Sequence, residues 1–257
     1  TTGQQGTTQF AEWGRFTYTV HQASLDFGNG MVTAGTPIGV VTELQVLHGT
    51  TWVTIPPDEW SDPQYAADLA PVMGVGPYTG YPIASPIRML PGSLSAGLLV
   101  NGPQYPPGIA GQITFGENPL PPVTSVPGWF YTELAVQVSY DSPEDCTANP
   151  AKCITGRQKV TATIDSGGLG GGLSQSMLPE ALSQSPMNQP LPVGTTISVY
   201  TADQQTLLYS TTVTEGDLRP VPEVWDPSLG FNTGILPFFQ GPIYFSYTPT
   251  YTPVGPD

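Results

Sequence analysis

Short segments in which apolar and polar residues alternate run through most of the 257-residue chain, and turns separate them. A period of two is typical of half-buried β-strands, whereas Gly, Pro, Asn and Asp between such segments mark turns. The clearest strand segments are residues 10–25, 31–41, 44–53 and 129–140, and the hairpin signal Asn29-Gly30 follows the first of them. We predict a turn or mobile segment at residues 1–10 and a short helix, capped by Ser174, at residues 174–183. The sequence therefore predicts an all-β fold.

The charge balance of the sequence argues against two classes of partner, nucleic acids and anionic membranes. Lys and Arg together number 6 against 20 Asp and Glu, which gives a net charge of −14. Nucleic-acid binding needs clustered Lys and Arg to contact the phosphates, so we expect no nucleic-acid partner. The same balance disfavours docking on an anionic membrane surface. The sequence also lacks a run of about eighteen apolar residues, and we expect no membrane insertion.

The two cysteines, Cys146 and Cys153, lie in one short, polar, proline-bearing segment. Such a segment is typical of a surface loop. Two cysteines this close in the chain predict a local disulfide and an oxidising compartment. Neither His21 nor His48 lies near them in the sequence, so we expect no metal site. We expect no cofactor either.

Residues 160–169 hold the strongest candidate for chemistry. Apolar residues alternate along 160–164 as in a buried strand, and Asp165 follows, where a strand would deliver a carboxylate into a cleft. Gly167 and Gly168 allow the backbone to turn sharply and to approach a ligand closely. A simple Asp-Ser-Gly turn between two strands would have the same local sequence. The residues of this stretch alone leave both interpretations open.

Several segments resemble the pepsin-like aspartic proteases, in the same order along the chain. They are residues 68–76, 111–116, 131–138, 163–167 and 232–239. Among them, Thr163-Ile164-Asp165-Ser166-Gly167 resembles the second catalytic motif of that family, a hydrophobic residue followed by Asp-Thr/Ser-Gly. A closer resemblance covers nearly the whole chain. It is to the mycobacterial PE and PE-PGRS proteins that carry a C-terminal aspartic protease domain, and it rests on residues 26–34, 72–77, 90–94, 164–168, 191–200 and 242–247.

This resemblance implies a bilobal pepsin-like fold with a peptide-binding cleft between its lobes. Residues 1–105 would form an incomplete N-terminal lobe with the flap region, and residues 106–257 the C-terminal lobe with the Asp-Ser-Gly motif. The family has one Asp-Thr/Ser-Gly motif in each lobe, but this sequence has one in total. The other candidate, Asp26-Phe27-Gly28, carries a bulky Phe in place of the hydroxyl residue, and we interpret it as a structural turn. We therefore expect the first catalytic strand, with its aspartate, upstream of this chain.

The resemblance also implies the activity and the site. We expect an aspartic endopeptidase that cleaves peptide bonds with a water activated by two aspartates, one of which is Asp165. Ser166 would donate a hydrogen bond to a catalytic carboxylate, and Gly167 would bring a backbone N–H near it. Substrate contacts are expected from Gly168 and from a flap aromatic. The candidates for that flap aromatic are Phe10 and Trp13.

Other functions remain open at this point. One is a catalytically inactive pepsin-like fold that binds peptides or a surface partner. Another is a homodimer that pairs two copies of Asp165, and a third is a carbohydrate-binding β-sandwich that uses some of the five tryptophans. We interpret the tryptophans as core and loop anchors instead. The expected partners are a protein or peptide substrate and an upstream segment with the first aspartate. The expected location is outside the cell, secreted or on the cell surface.

Overall fold

The computed structural model describes residues 1–10, 14–62, 74–76, 83, 85–102, 110–128, 131–142, 146–216 and 219–247. In these residues the strands form three sheets, and short 3-10 helices lie between them. The predicted all-β fold is confirmed. The 3-10 helices span Pro57–Glu59, Pro86–Met89, Gly92–Ala96, Pro150–Cys153, Gln175–Met177, Glu180–Leu182 and Leu236–Phe239.

The first sheet is antiparallel and has four strands in the order β1-β2-β3-β4. Its strands are β1 (Gln5–Phe10), β2 (Gly14–Ala23), β3 (Thr36–His48) and β4 (Thr51–Ile55). In β2, the buried residues Phe16, Tyr18 and Val20 alternate with residues that are only partly covered. The alternation predicted from the sequence is thus present in the structure, and it places one face of this sheet on a core.

Two predictions in this region are wrong. Residues 5–10 form an edge strand and not a turn, because their backbone pairs with β2 although their Thr- and Gln-rich sequence shows no apolar alternation. Residues 31–41 and 44–53 do not form two separate strands. Instead, β3 runs on through a bulge at Thr42, which faces the step between Thr17 and Tyr18. The strand ends later, at a turn in which Gly49 has a φ of 64°.

The hairpin turn predicted at Asn29-Gly30 is confirmed. Both residues have positive φ angles, 53° and 81°. Such angles are ordinary for Gly and tolerated by Asn. An isolated bridge joins Asp26 to Val32 on either side of the turn. The turn therefore brings β3 back alongside β2.

The second sheet has seven strands in the order β11-β10-β7-β8-β13-β9-β12. They are β7 (Thr132–Tyr140), β8 (Gln158–Thr163), β9 (Gly172–Ser174), β10 (Thr195–Thr201), β11 (Leu207–Thr212), β12 (Glu223–Trp225) and β13 (Phe231–Asn232). Its core includes Leu134, Val136 and Val138 of β7, which are almost fully buried. The short β13 lies between β8 and β9, parallel to the first and antiparallel to the second. This arrangement places residues far apart in sequence beside the end of β8.

The segment after β9 differs from the prediction. The helix expected at residues 174–183 is replaced by two 3-10 helices, Gln175–Met177 and Glu180–Leu182. Pro179 lies between them and has no N–H with which to continue a helix. The predicted cap is present, since the Ser174 side chain accepts the Ser176 N–H at 3.2 Å.

A third sheet has three strands in the order β14-β5-β6: β5 (Gly97–Asn101), β6 (Gln112–Phe115) and β14 (Ile243–Ser246). The chain divides into two compact units. One comprises Thr1–Leu98, Phe115–Asn118 and Phe245–Thr250, and the other comprises Leu99–Thr114, Pro119–Tyr244 and Tyr251–Asp257. The assignment of residues 1–105 and 106–257 to the two lobes of a protease stays a prediction.

Candidate active site

Asp165 lies two residues beyond the end of β8, in the interior of the second sheet. On one side β8 pairs with β7, where Ala162 faces Thr132. On the other side it pairs with β13, where Thr163 faces Asn232. Ala162 is fully buried, so the strand is fixed by packing up to the point where the carboxylate emerges. Asp165 itself is partly buried.

Three donors hold the Asp165 carboxylate. Its Oδ1 accepts the backbone N–H of Gly167 at 3.0 Å and that of Gly168 at 2.9 Å. Its Oδ2 accepts the side-chain amide Nδ2 of Asn232 at 2.9 Å. Hydrogen bonds from neutral donors stabilise the ionised form of a carboxyl group over the protonated form. In the described part of the chain, no ion pair reaches this carboxylate.

The backbone of Asp165 is held as well. Its N–H donates to Oγ1 of the buried Thr233 at 3.3 Å, and the Thr233 N–H donates to the carbonyl of Thr163 at 3.0 Å. The Thr233 hydroxyl in turn donates to the Gly234 carbonyl at 2.9 Å. The end of β8 and the loop after β13 therefore form one hydrogen-bonded unit around the aspartate.

The glycines around this unit leave no room for side chains. A Cβ at Gly171 would lie 2.3 Å from the Asn232 carbonyl oxygen, and one at Gly234 would lie 2.2 Å from the Leu169 carbonyl oxygen. Both glycines also have positive φ, 65° and 54°. At Gly168 a Cβ would come within 2.8 Å of Asp165 Oδ2. The glycine-rich sequence after Asp165 is thus explained by close backbone packing against residues 232–234.

The predicted site residues fall into three groups. Asp165, Gly167 and Gly168 lie together as described above. Ser166 is adjacent, but within the described residues its hydroxyl does not donate to Asp165, and the role predicted for it stays a prediction. Two predicted positions cannot be placed: the side chain of Phe10, whose backbone ends β1, and the whole of Trp13 lie outside the described residues.

Sequence reasoning missed Asn232 and Thr233. The sequence resemblance places residues 232–239 in a segment of the pepsin-like family and assigns no role to either side chain. A local signal exists, because Asn232-Thr233-Gly234 repeats the pattern of Asp165-Ser166-Gly167 with an amide in place of the carboxylate. The pattern gains meaning only when the pairing of β13 with β8 brings the two triplets together.

The predicted disulfide between Cys146 and Cys153 is confirmed, with the two Cα atoms 5.7 Å apart. It closes a loop between β7 and β8, and β8 leads directly to Asp165. Cys153 is buried, whereas the residues between the two cysteines are mostly exposed. The disulfide therefore joins the two ends of this exposed segment, and its Cys153 end is buried.

Three tryptophans have structural contacts. Trp60 donates from Nε1 to the Ile55 carbonyl at 2.9 Å, the Arg15 guanidinium lies 4.4 Å from the ring centre of Trp52, and Trp225 lies against the backbone of β9. These contacts agree with anchoring by packing. The other two, Trp13 and Trp129, lie outside the described residues.

The described residues contain neither a metal-binding cluster nor a membrane-spanning helix. No group of three or more His, Cys, Asp or Glu side chains is arranged to hold a metal ion in that part of the chain. No helix there combines the length and the apolar character needed to cross a bilayer.

Comparison with known proteins gives a consistent set of matches. A family model described as the PE-PGRS C-terminal aspartyl peptidase-like domain matches residues 1–254. PE cleavage protein A of Mycobacterium tuberculosis is 31% identical over 245 residues, which cover 91% of this chain and 38% of that protein. PE cleavage protein A of Mycobacterium marinum is 32% identical over 254 residues, which cover 92% of this chain and 39% of that protein. The chain thus spans less than two fifths of the length of these relatives.

Proposed function

Because the chain belongs to the family of PE-PGRS C-terminal aspartyl peptidase-like domains, we propose that it is an aspartic endopeptidase domain and that Asp165 is one of its two catalytic carboxylates. The observation that carries this proposal is the environment of Asp165. A carboxylate that follows a buried strand and accepts three hydrogen bonds is held in one orientation. A general base needs a carboxylate that is positioned in this way.

The proposed chemistry needs two carboxyl groups that share one proton. The ionised member takes a proton from a bound water, the water oxygen attacks the scissile carbonyl carbon, and the protonated member donates its proton to the carbonyl oxygen. Such a pair titrates as a unit, because two adjacent carboxylates repel each other. In this chain Asp165 would supply one member. The other would come from an Asp-Thr/Ser-Gly motif upstream, as the resemblance to the family implies.

The remaining roles follow from position. Gly167 and Gly168 hold Oδ1 through their backbone N–H groups, and Gly168 lines the path of the substrate. The Ser166 hydroxyl would support a catalytic carboxylate, and Phe10 or Trp13 would supply the aromatic side chain of a flap. The substrate would be an extended peptide bound by strand addition. The two relatives carry the words "cleavage protein" in their names, which agrees with a polypeptide substrate. We also propose that the domain works outside the cell, secreted or at the cell surface.

One observation favours a second candidate, a peptide- or partner-binding module without catalysis. This sequence contains a single Asp-Ser/Thr-Gly motif. Within the described residues, the side chain that contacts Oδ2 of Asp165 is the neutral amide of Asn232 and not a second carboxyl group. If no second aspartate joins Asp165, no proton can be shared and the hydrolytic mechanism fails.

The deciding experiment measures peptide cleavage from pH 3 to pH 7 by this chain and by a longer form extended upstream. Each form is compared with its Asp165→Asn and Asp26→Asn variants, which change charge but hardly change volume. We expect the longer form to cleave peptides. The cleavage rate should fall by at least about 100-fold in Asp165→Asn and should not fall in Asp26→Asn. Absence of cleavage in every form with the fold intact would overturn the endopeptidase and leave the binding module.

A further inference from the structure

The side chain of Asn232 bridges the Asp165 carboxylate and its own loop. Its Oδ1 accepts the Gly234 N–H at 2.8 Å, and its Nδ2 donates to Asp165 Oδ2 at 2.9 Å. A backbone N–H can be accepted only by the amide oxygen, so the first contact fixes which end of the amide faces the aspartate. Asn232 is therefore oriented as a donor toward Oδ2.

The fold holds this donor in place. Asn232 pairs with Thr163 in the parallel ladder between β13 and β8, so its Cα is set by the backbone of the strand that carries Asp165. Thr233 then ties the next peptide group to the Asp165 N–H. Gly171 packs against the carbonyl of Asn232, at a distance that admits no Cβ. The amide is thus fixed before any ligand binds.

The donors to the two carboxylate oxygens differ in kind. Oδ1 is held by the backbone of the turn itself, through Gly167 and Gly168, as any aspartate at the head of such a turn can be. Oδ2 is held by a side chain that lies 67 residues further along the chain. Since Ser166 does not donate to this carboxylate within the described residues, the Asn232 amide is the side-chain donor available there.

We infer that Asn232 is the positioning residue of Asp165, which holds its carboxylate in one rotamer. The catalytic meaning of this role rests on the proposed endopeptidase function. An amide suits the task because it donates a hydrogen bond and cannot itself ionise, so the proton that matters in catalysis stays with the carboxyl groups and the water. No charged side chain among the described residues forms an ion pair with Asp165, and the groups that contact its carboxylate are the two glycine N–H groups and this amide.

The variant Asn232→Asp tests the donor end of the amide while it keeps the acceptor end. An ionised aspartate keeps an acceptor for the Gly234 N–H but has no donor for Asp165, and it brings a second carboxyl group next to Oδ2. The matched control is Asn188→Asp, which adds the same charge at an exposed position of the same unit. Asn232→Ala is a third variant, which removes the donor without adding charge and serves if the first variant does not fold.

The test is a carbon-13 NMR titration of the Asp165 carboxyl group in the chain and its variants. In Asn232→Asp the two adjacent carboxyl groups titrate as a unit, and we expect the last proton to leave the pair at a pH higher than the wild-type midpoint by roughly one pH unit or more, because two ionised carboxylates repel each other. Asn232→Ala should shift the midpoint in the same direction by a smaller amount. Asn188→Asp should leave it within a few tenths of a pH unit. An unchanged midpoint in folded Asn232→Asp or Asn232→Ala would overturn the inference.

Cleavage by the upstream-extended form separates this inference from the proposed function. If the wild-type form cleaves peptides, we expect the acid limb of kcat/KM in Asn232→Ala to move to higher pH, whereas a loss of packing alone would lower the rate equally at all pH values. Cleavage with an unmoved acid limb would overturn the role of Asn232 while the endopeptidase stands. A shifted NMR titration without any cleavage would overturn the endopeptidase while the contact between Asn232 and Asp165 stands.

Discussion

Asp26 and Asp165 head the same kind of turn in two different parts of the molecule. Each is followed by any residue and then Gly, and each accepts the N–H of that Gly with Oδ1, at 2.7 Å for Asp26 and 3.0 Å for Asp165. Asp26 is exposed, and in the described part of the chain its carboxylate has this one hydrogen bond. The Asp165 carboxylate has two more, one of them from a residue 67 positions away.

The surroundings of the two turns explain the difference. The Asp26 turn closes a hairpin, and a Cβ at Gly28 would have no atom within 4 Å. The Asp165 turn lies between β8 and the loop after β13, where the glycines are packed against backbone atoms. An Asp-x-Gly turn therefore needs only local sequence. A held carboxylate needs a second chain segment, and that segment is what distinguishes a candidate catalytic residue from a structural one.

The largest expected effect on stability comes from replacing a glycine by alanine near the Asp165 turn, with the same replacement in the Asp26 turn as its control. In Gly171→Ala the new Cβ would lie 2.3 Å from the Asn232 carbonyl oxygen and 2.5 Å from the Gly234 nitrogen, at a φ of +65°. We expect a loss of about 3 kcal/mol in the free energy of unfolding, because backbone on both sides has to move. Gly28→Ala is the matched control, with a positive φ of +86° but open space, and should cost roughly 1 kcal/mol. Urea denaturation of both variants measures the difference, and equal losses would contradict the proposed close packing.

The second prediction copies the local motif onto the other turn. Phe27→Ser turns residues 26–28 into a second Asp-Ser-Gly and removes the ring that lies 5.4 Å from the ring of Phe115. We expect a loss of about 1.5 kcal/mol in stability from the aromatic contact, and a smaller loss in the control Phe27→Leu. In the Asp165→Asn background of the upstream-extended form, Phe27→Ser should restore no cleavage. Recovered cleavage would show that the motif alone makes the site, without a second chain segment to hold the carboxylate.

The sequence was informative wherever structure follows from a local pattern. The alternation in β2 and β7 correctly gave their buried faces, the position of Asp165 after β8 followed from the apolar residues before it, and the cysteine spacing gave the disulfide. In each case the cause lies within a few neighbouring residues: the period of the side chains, or the length of a loop.

The predictions that failed concern features whose cause lies in distant parts of the chain. β1 is a strand because its backbone pairs with that of β2, and the side chains of β1 give no sign of this pairing. The bulge at Thr42 keeps β3 continuous where the alternation changes phase. Asn232 lies at the site because β13 pairs with β8, and a single sequence does not reveal the order of these strands in the sheet. Tertiary pairing decided all three, so a pattern with a period of two could not predict them.

The smallest expected effect concerns what such a turn contributes when, in the described part of the chain, no distant segment contacts its carboxylate, and Asp226 offers the test. Its carboxylate is exposed and accepts the Ser228 hydroxyl and the Ser228 N–H, at 2.6 Å and 2.8 Å. These bonds, the hydroxyl first, lower the pKa of Asp226 from its ordinary value of 3.8. A carboxyl group whose pKa is lower in the folded state stabilises that state at pH values above 3.8, and the contribution is lost as the pH falls through the folded pKa.

We therefore expect the free energy of unfolding to fall less steeply between pH 4 and pH 2 in Asp226→Asn than in the wild type. Ser228→Ala, which removes the donor with the larger effect on this pKa, should reproduce most of the change. Near pH 6 the free energy of unfolding should depend on pH equally in all three proteins, because the carboxyl group is then ionised whether the chain is folded or not. Denaturation curves at four pH values suffice to measure this. A steeper acid dependence in Asp226→Asn would reverse the sign of the argument, and an unchanged one would mean that the exposed turn contributes nothing without a second segment to hold it.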